Sequence, residues 1–148
     1  MIVVVAFNLL LLVTSGYAIW KGGKPEQWAG AALLTAAALT LLTNLLNEVG
    51  PFHNMEPVVM LVDIGLLAAL VALALKANRY WPIWITAIHA SAVAIHFAKL
   101  ANPALVWPLY AFAASVSSVP IQIILLWATI RHQRRMKLYG IDTPWRGS

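Results

Sequence analysis

Five long apolar stretches follow one another along this chain, and they constrain its fold more than any other feature. Each is close to the roughly 20 apolar residues that an α-helix needs to cross the hydrocarbon core of a bilayer. Helices suit such stretches because a helix satisfies its own backbone hydrogen bonds where no water is present. The sequence therefore predicts an all-α membrane bundle of five transmembrane helices, at about residues 2–20, 25–49, 57–76, 82–100 and 105–130.

The composition agrees with a membrane protein. Hydrophobic residues make up 61% of the 148 residues and charged residues only 10%, whereas soluble domains carry roughly 25% charged residues. The chain contains no cysteine, which excludes disulfides, thiolate nucleophiles, iron–sulfur clusters and cysteine-ligated zinc. Residues 131–148 remain as a basic cytoplasmic tail, and we expect no soluble domain.

Basic residues predict the orientation of the helices, because cytoplasmic loops collect lysine and arginine. With five spans and the N-terminus outside, only Lys99 among the ten lysines and arginines falls on the outer side. The lysines also follow the first apolar stretch rather than precede it, which indicates a transmembrane helix and not a secretory signal. We therefore expect the C-terminus inside, together with these residues: Lys21, Lys24, Lys76, Arg79, Arg131, Arg134, Arg135, Lys137 and Arg146.

A layer of polar residues is predicted in the outer half of the bundle. At about 1.5 Å of rise per residue, Asp63 and His96 lie at similar depths on the third and fourth helices. Asn8 and Asn44 lie near that depth on the first and second helices. The inner half is expected to hold few polar side chains. The predicted polar cluster consists of Asp63, His96, His89, Asn44, Asn8, Lys99 and Glu48.

Two interpretations of this cluster are open. In the first it holds helices together, with Asp63 paired with His96 or Lys99. In the second it lines a cleft that opens to the outer side, with Asp63 as the charged centre. An unpartnered aspartate in hydrocarbon costs roughly 3 kcal/mol, so both interpretations require a partner or water. Thr86, His89 and His96 share one face of the fourth helix, which is expected to point into the bundle.

The histidines raise the question of a cofactor, because neutral imidazole binds haem iron and magnesium. His89 and His96 lie about 10 Å apart along the helix axis and cannot ligate one metal ion. Residues 92–100 (AVAIHFAKL) resemble the Ala-x-x-x-His-x-x-x-Leu pattern around the bacteriochlorophyll ligand of light-harvesting polypeptides. We expect no cofactor, with haem or bacteriochlorophyll on His96 as the alternative.

Catalytic motifs are absent from the sequence. It contains no glycine-rich phosphate loop, no paired metal-binding histidines at four-residue spacing and no nucleophile elbow. An acid–base dyad of Asp63 and His96, with Ser115 or Ser118 as nucleophile, is the enzymatic alternative. We expect a protein that is not an enzyme.

The basic residues after the last span are expected to contact the membrane or a partner. Their position makes them a topological anchor before anything else, and each adds about 1 kcal/mol of attraction to anionic lipid. Nucleic acid is therefore not an expected partner. The predicted contact residues are Arg131, Arg134, Arg135, Lys137 and Trp145.

Residues 79–96, which begin RYWPIW, and residues 139–145 (YGIDTPW) resemble small uncharacterised multispan proteins of proteobacteria. The resemblance implies a bacterial inner (cytoplasmic) membrane and no assigned activity. Helices that are apolar all round can pack on neighbours, so we predict a non-catalytic accessory or structural subunit of a larger inner-membrane assembly, or a homo-oligomer. The alternative is a small transporter or proton-conducting protein that uses Asp63, His89 and His96.

Overall fold

A computed structural model describes residues 2–49, 56–101 and 107–145, with side chains at 5–46, 57–98 and 118–145. The predicted all-α fold with five helices is confirmed. Within the described residues, three helices contain segments long and apolar enough to cross a membrane by length and composition, namely Lys24–Leu46, Pro57–Lys76 and Trp81–Ala98. The helices are α1 (Ile2–Lys21), α2 (Lys24–Val49), α3 (Glu56–Lys76), α4 (Trp81–Ala101) and α5 (Trp107–Tyr139).

The helices form a closed ring. Each packs against the helix before it in the chain, α5 packs back against α1, and α2 also touches α5 across the ring. Leu70, Ile85 and Leu125 are completely buried where helices meet. The outer surface is also apolar, since Leu41 and Leu61 are 61% and 64% exposed. Large apolar side chains on both the inside and the outside are what a bundle immersed in lipid requires.

One end of the ring, which we name the basic end, carries the loops at 21–24 and 77–80 and residues 131–145. The side chain of Gln133 on α5 donates a hydrogen bond to the carbonyl of Lys21 at 2.6 Å. Gln27 on α2 donates to the carbonyl of Gly22 at 3.1 Å. Every lysine and arginine whose side chain the structure describes belongs to this end. The backbone of Lys99 lies near the opposite end of α4, and Arg146 lies outside the described residues.

The last helix differs from the sequence prediction. It does not end near residue 130 but continues to Tyr139. Gly140 then adopts φ +70, the left-handed conformation that terminates helices without steric cost for glycine. The chain turns back from there, and Trp145 lies half-buried against the apolar core. Residues 131–139 of the predicted tail are therefore helical, and residues 140–145 fold onto the bundle.

Candidate functional site

The polar face of α4 is turned towards α3. Thr86 Oγ1 donates to the carbonyl of Leu70 at 3.1 Å, and also to that of Pro82 on its own helix at 2.7 Å. His89 lies farther along the same face and contacts Asp63 of α3. The polar face predicted on the fourth helix therefore forms the polar part of the α3–α4 interface.

Asp63 contacts two histidines of α4 with two different groups. His89 Nε2 lies 3.0 Å from its backbone carbonyl oxygen. His96 Nε2 lies 3.0 Å from its carboxylate Oδ2. Because a carbonyl only accepts hydrogen bonds, His89 carries its proton on Nε2. His89 is buried, whereas the side chains of Asp63 and His96 keep 23% and 18% of their surface exposed. Both contacts hold α3 and α4 together. The contact of His96 also places an imidazole where it can exchange a proton with the carboxylate of Asp63.

The other predicted members of the cluster are not brought to Asp63 in the described part of the chain. Asn8 lies at an exposed position of α1, a helix that contacts neither α3 nor α4 there. Asn44 is exposed on α2. Its neighbour Thr43 is the buried residue, and Thr43 donates to the carbonyl of Leu39 at 2.8 Å. The side chains of Lys99 and Glu48 lie outside the described residues.

A second polar site lies at the basic end. Its centre is Asp142, whose side chain is only 5% exposed. Arg79 of the α3–α4 loop donates to its Oδ1, and His132 Nδ1 donates to its Oδ2 at 2.5 Å. Arg135 adds a bidentate contact, with Nε 2.9 Å from Oδ1 and Nη2 3.2 Å from Oδ2. Three basic side chains from a loop and a helix therefore hold one carboxylate of the folded-back chain.

The surroundings of Asp142 shift its pKa. Burial alone raises the pKa of a carboxyl group, because it disfavours the charged form. Hydrogen bonds from His132 and Arg135, together with the positive charges of Arg79 and Arg135, outweigh that effect and hold the pKa of Asp142 below its ordinary value. The carboxylate is therefore ionised at neutral pH, where it keeps its basic partners in place.

A pocket of about 440 Å³ lies next to this carboxylate, between the start of α2 and the folded-back chain. We name it the basic-end pocket. Both faces of the pocket carry polar and charged groups. It is lined by Gly23, Lys24, Pro25, Glu26, Gln27, Arg79, His132, Met136, Gly140, Ile141, Asp142 and Pro144.

Two residues of the basic-end pocket hold polar atoms without a hydrogen-bond partner among the described residues. Glu26 is 1% exposed, and its Oε1 accepts no hydrogen bond. Arg79 uses its terminal nitrogens, but its buried Nε makes no hydrogen bond. Gly23 leaves space for the side chains of Glu26 and His132, since a Cβ there would lie 3.0 Å from Glu26 Oε2 and 2.8 Å from His132 Cε1. One unmatched acceptor and one unmatched donor thus belong to the same pocket.

The sequence alone does not indicate this second site. Glu26 stands beside Lys24 and Gln27 at the start of an apolar stretch, which is typical of a residue at the membrane surface. The only signal was its place in the first turn of α2, where a carboxylate is favoured by the helix dipole. Nothing local indicates that Asp142 meets Arg79, because that contact requires the chain to turn back at Gly140.

The predicted lipid or partner contacts separate into two groups. Arg131, Arg134 and Lys137 are exposed at the basic end, and the Arg131 guanidinium lies 5.0 Å from the ring centroid of Trp127. Arg135 and Trp145 instead make contacts within the chain, with Asp142 and with the apolar core respectively. The three exposed residues are the ones whose predicted contacts need no rearrangement.

The described residues contain no group of three or more histidine, cysteine or acidic side chains that could hold a metal ion. A haem or bacteriochlorophyll on His96 would have to use Nδ1, or to displace the Asp63 carboxylate from Nε2. The chain matches no protein family model, no curated protein and no solved structure. A function therefore has to be inferred from the contacts within the chain itself.

Proposed function

We propose that this chain is an integral protein of a bacterial inner membrane, with five spans and its basic end in the cytoplasm, that acts as a non-catalytic subunit of a larger membrane assembly. The charge distribution supports the orientation, since cationic side chains gather on the cytoplasmic side of membrane proteins. The polar face of α4 is used within the bundle, at Leu70 and Asp63 of α3. A packing role for these groups fits a protein that builds an assembly rather than one that performs chemistry.

The observation that carries this proposal is an open apolar groove of about 590 Å³ between α2 and α3. Six of its twelve lining residues are alanine, threonine or glycine, and at Gly65 an added Cβ would meet nothing within 4 Å. Small residues let helices approach closely in a bilayer, where association depends on packing contacts rather than on exclusion of water. The groove is lined by Trp28, Ala31, Ala32, Thr35, Ala36, Leu39, Val58, Leu61, Val62, Gly65, Leu66 and Ala69.

Two glycine variants test this proposal. Gly65→Leu places a side chain in the groove, whereas Gly16→Leu places the same side chain on α1, where an added Cβ also meets nothing within 4 Å. The protein is extracted in a mild detergent, and its particle size is measured by native electrophoresis and mass spectrometry. We expect wild type and Gly16→Leu in a particle larger than one chain and Gly65→Leu shifted to a smaller one. A wild-type monomer, or equal particles for both variants, would refute the proposal.

Proton conduction is a second candidate, because buried polar groups occur in both halves of the bundle. Asp63 and His96 lie in the half away from the basic end, and His89 lies near the middle of α4. Gln122 on α5, 1% exposed, has neither amide atom paired with a described residue, and Glu26 lies beyond it at the basic end. A pH-sensitive dye inside proteoliposomes reports the flux. Conduction through this route requires Asp63→Asn and Glu26→Gln each to abolish a proton flux that the exposed-site variant Asn44→Ser retains.

A further inference from the structure

The unmatched groups of the basic-end pocket define what would fit it. Among the described residues, Glu26 Oε1 has no hydrogen-bond donor and Arg79 Nε has no acceptor. Buried polar groups in folded proteins are normally paired with protein atoms or with water, so an unmatched donor and an unmatched acceptor in one pocket are two groups that one ligand can satisfy together. The carboxylate oxygen selects a donor with positive charge, because charge-assisted hydrogen bonds are the stronger ones.

The charges around the pocket add a second constraint. Asp142 is already held by Arg79, His132 and Arg135, so its negative charge is compensated within the chain. Lys24 lines the pocket and is exposed, which leaves its ammonium group available to an anion. A ligand that meets Lys24 and Glu26 together carries an anion and a protonated amine a short distance apart.

We propose that the basic-end pocket binds a phosphodiester that bears a primary ammonium group, the chemistry of a phosphoethanolamine headgroup. The ammonium group donates to Glu26, and the phosphodiester oxygens accept from Arg79 and Lys24. A membrane phospholipid and a soluble glycerophosphoethanolamine both present this headgroup. Binding of this headgroup does not depend on the proposed role in assembly. It depends on insertion in a membrane only if the headgroup belongs to a lipid.

The contrast between ethanolamine and choline headgroups isolates the contact with Glu26. Both carry a phosphodiester and a positive charge, but the trimethylammonium group of choline has no N–H to donate. The purified full chain in mild detergent is titrated with short-chain phosphatidylethanolamine or phosphatidylcholine of equal acyl length, and thermal unfolding reports binding. We expect the ethanolamine lipid to bind about tenfold more tightly, the effect of one charge-assisted hydrogen bond. Equal binding by the wild type overturns the proposal.

Two pairs of variants keep the test decisive. Glu26→Gln should bring the ethanolamine-to-choline affinity ratio close to one, and an unchanged ratio overturns the proposal. If that variant does not fold, Lys24→Gln serves, because it should weaken both lipids by removing a phosphate partner. Lys137→Gln is the control, an exposed cation at the same end that does not line the pocket. Equal losses in Lys24→Gln and Lys137→Gln would show only a general surface attraction and would also overturn the proposal.

The source of the headgroup is decided by a soluble compound. Glycerophosphoethanolamine is titrated against the same wild-type protein and compared with glycerophosphocholine. A preference for the ethanolamine compound without acyl chains identifies a water-soluble ligand. The same preference seen only with lipids identifies the membrane as the source. The absence of a preference in both series overturns the proposal, whatever the particle size of the protein in detergent.

Discussion

The backbone N–H of Asn78, between α3 and α4, donates a hydrogen bond to the carbonyl oxygen of Pro144 at 3.1 Å. Beside it, Ala77 and Trp145 form an isolated antiparallel bridge. The chain after α5 is therefore attached to the bundle by backbone contacts as well as by the ion pairs of Asp142. This attachment closes one side of the basic-end pocket and can be tested one contact at a time.

Removing the charge of Asp142 should weaken the attachment. Asp142→Asn keeps the shape of the side chain but loses the charge that compensates Arg79, Arg135 and His132. Hydrogen bonds to charged groups contribute roughly 1.5–3 kcal/mol each, and the amide retains part of them. We expect the free energy of unfolding in detergent to fall by about 2 kcal/mol. Lys137→Gln at the same end is the control. If Asp142→Asn lowers the free energy of unfolding by no more than Lys137→Gln does, the ion-pair role is contradicted.

The stability of the protein should depend on pH through the ion pairs of Asp142. The pKa of Asp142 is lowered in the folded protein, so its contribution is fully present above the unfolded pKa of about 3.9. That contribution is lost as the pH falls from this value through the lower folded pKa. Wild type should therefore lose more stability than Asp142→Asn between pH 5 and the acid limit of folding, measured by denaturant titration at each pH. Parallel curves for the two proteins would contradict this assignment.

The two contacts of Asp63 should respond differently in double-mutant cycles. Asp63→Ala removes the carboxylate that faces His96 but keeps the backbone carbonyl that His89 contacts. We expect a coupling free energy near 1 kcal/mol between Asp63→Ala and His96→Ala, within the range measured for hydrogen bonds between membrane helices. Asp63→Ala and His89→Ala should be close to additive. Denaturant titration in detergent measures both cycles, and strong coupling to His89 alone would show that the carboxylate acts elsewhere.

Two glycine-to-alanine substitutions should have opposite effects. At Gly23 the new methyl group would lie 2.8 Å from the His132 ring, so we expect a loss of about 1–3 kcal/mol through overpacking. At Gly16, inside α1 with open space around it, alanine should add up to about 1 kcal/mol through its higher helix propensity. Melting temperatures measured in the same detergent compare them. A stabilising Gly23→Ala would contradict the close approach of Gly23 to His132.

The sequence predicted the helices well because their ends coincide with strong local signals. The loop after α1 is a pair of glycines between lysines, and α4 begins beside Pro82. The α3–α4 contact was also within reach, since polar residues on one face of an apolar helix have to find partners. Each of these features depends on residues close together in the chain.

Features that depend on distant residues were not predictable in the same way. Asn44 was expected in the polar layer, yet it is exposed and its neighbour Thr43 is buried, because packing of the whole helix decides its rotation. Asp142 reaches Arg79, and the pocket that Glu26 also lines, only because α5 extends to Tyr139 and the chain then turns back. The periodicity of the sequence does not predict contacts between residues so far apart in the chain.

The orientation of the basic end tests the account most directly, and the absence of cysteine from the chain makes the measurement clean. Single cysteines are introduced by Tyr80→Cys and Lys137→Cys at the basic end, and by Asn54→Cys and Ala104→Cys in the sequence between α2 and α3 and between α4 and α5. A membrane-impermeant maleimide is applied to intact and to permeabilised cells. We predict labelling of the latter two in intact cells and of the former two only after permeabilisation. Labelling of Lys137→Cys in intact cells, or recovery of the protein outside the membrane fraction, would contradict a five-span bundle with its basic end in the cytoplasm.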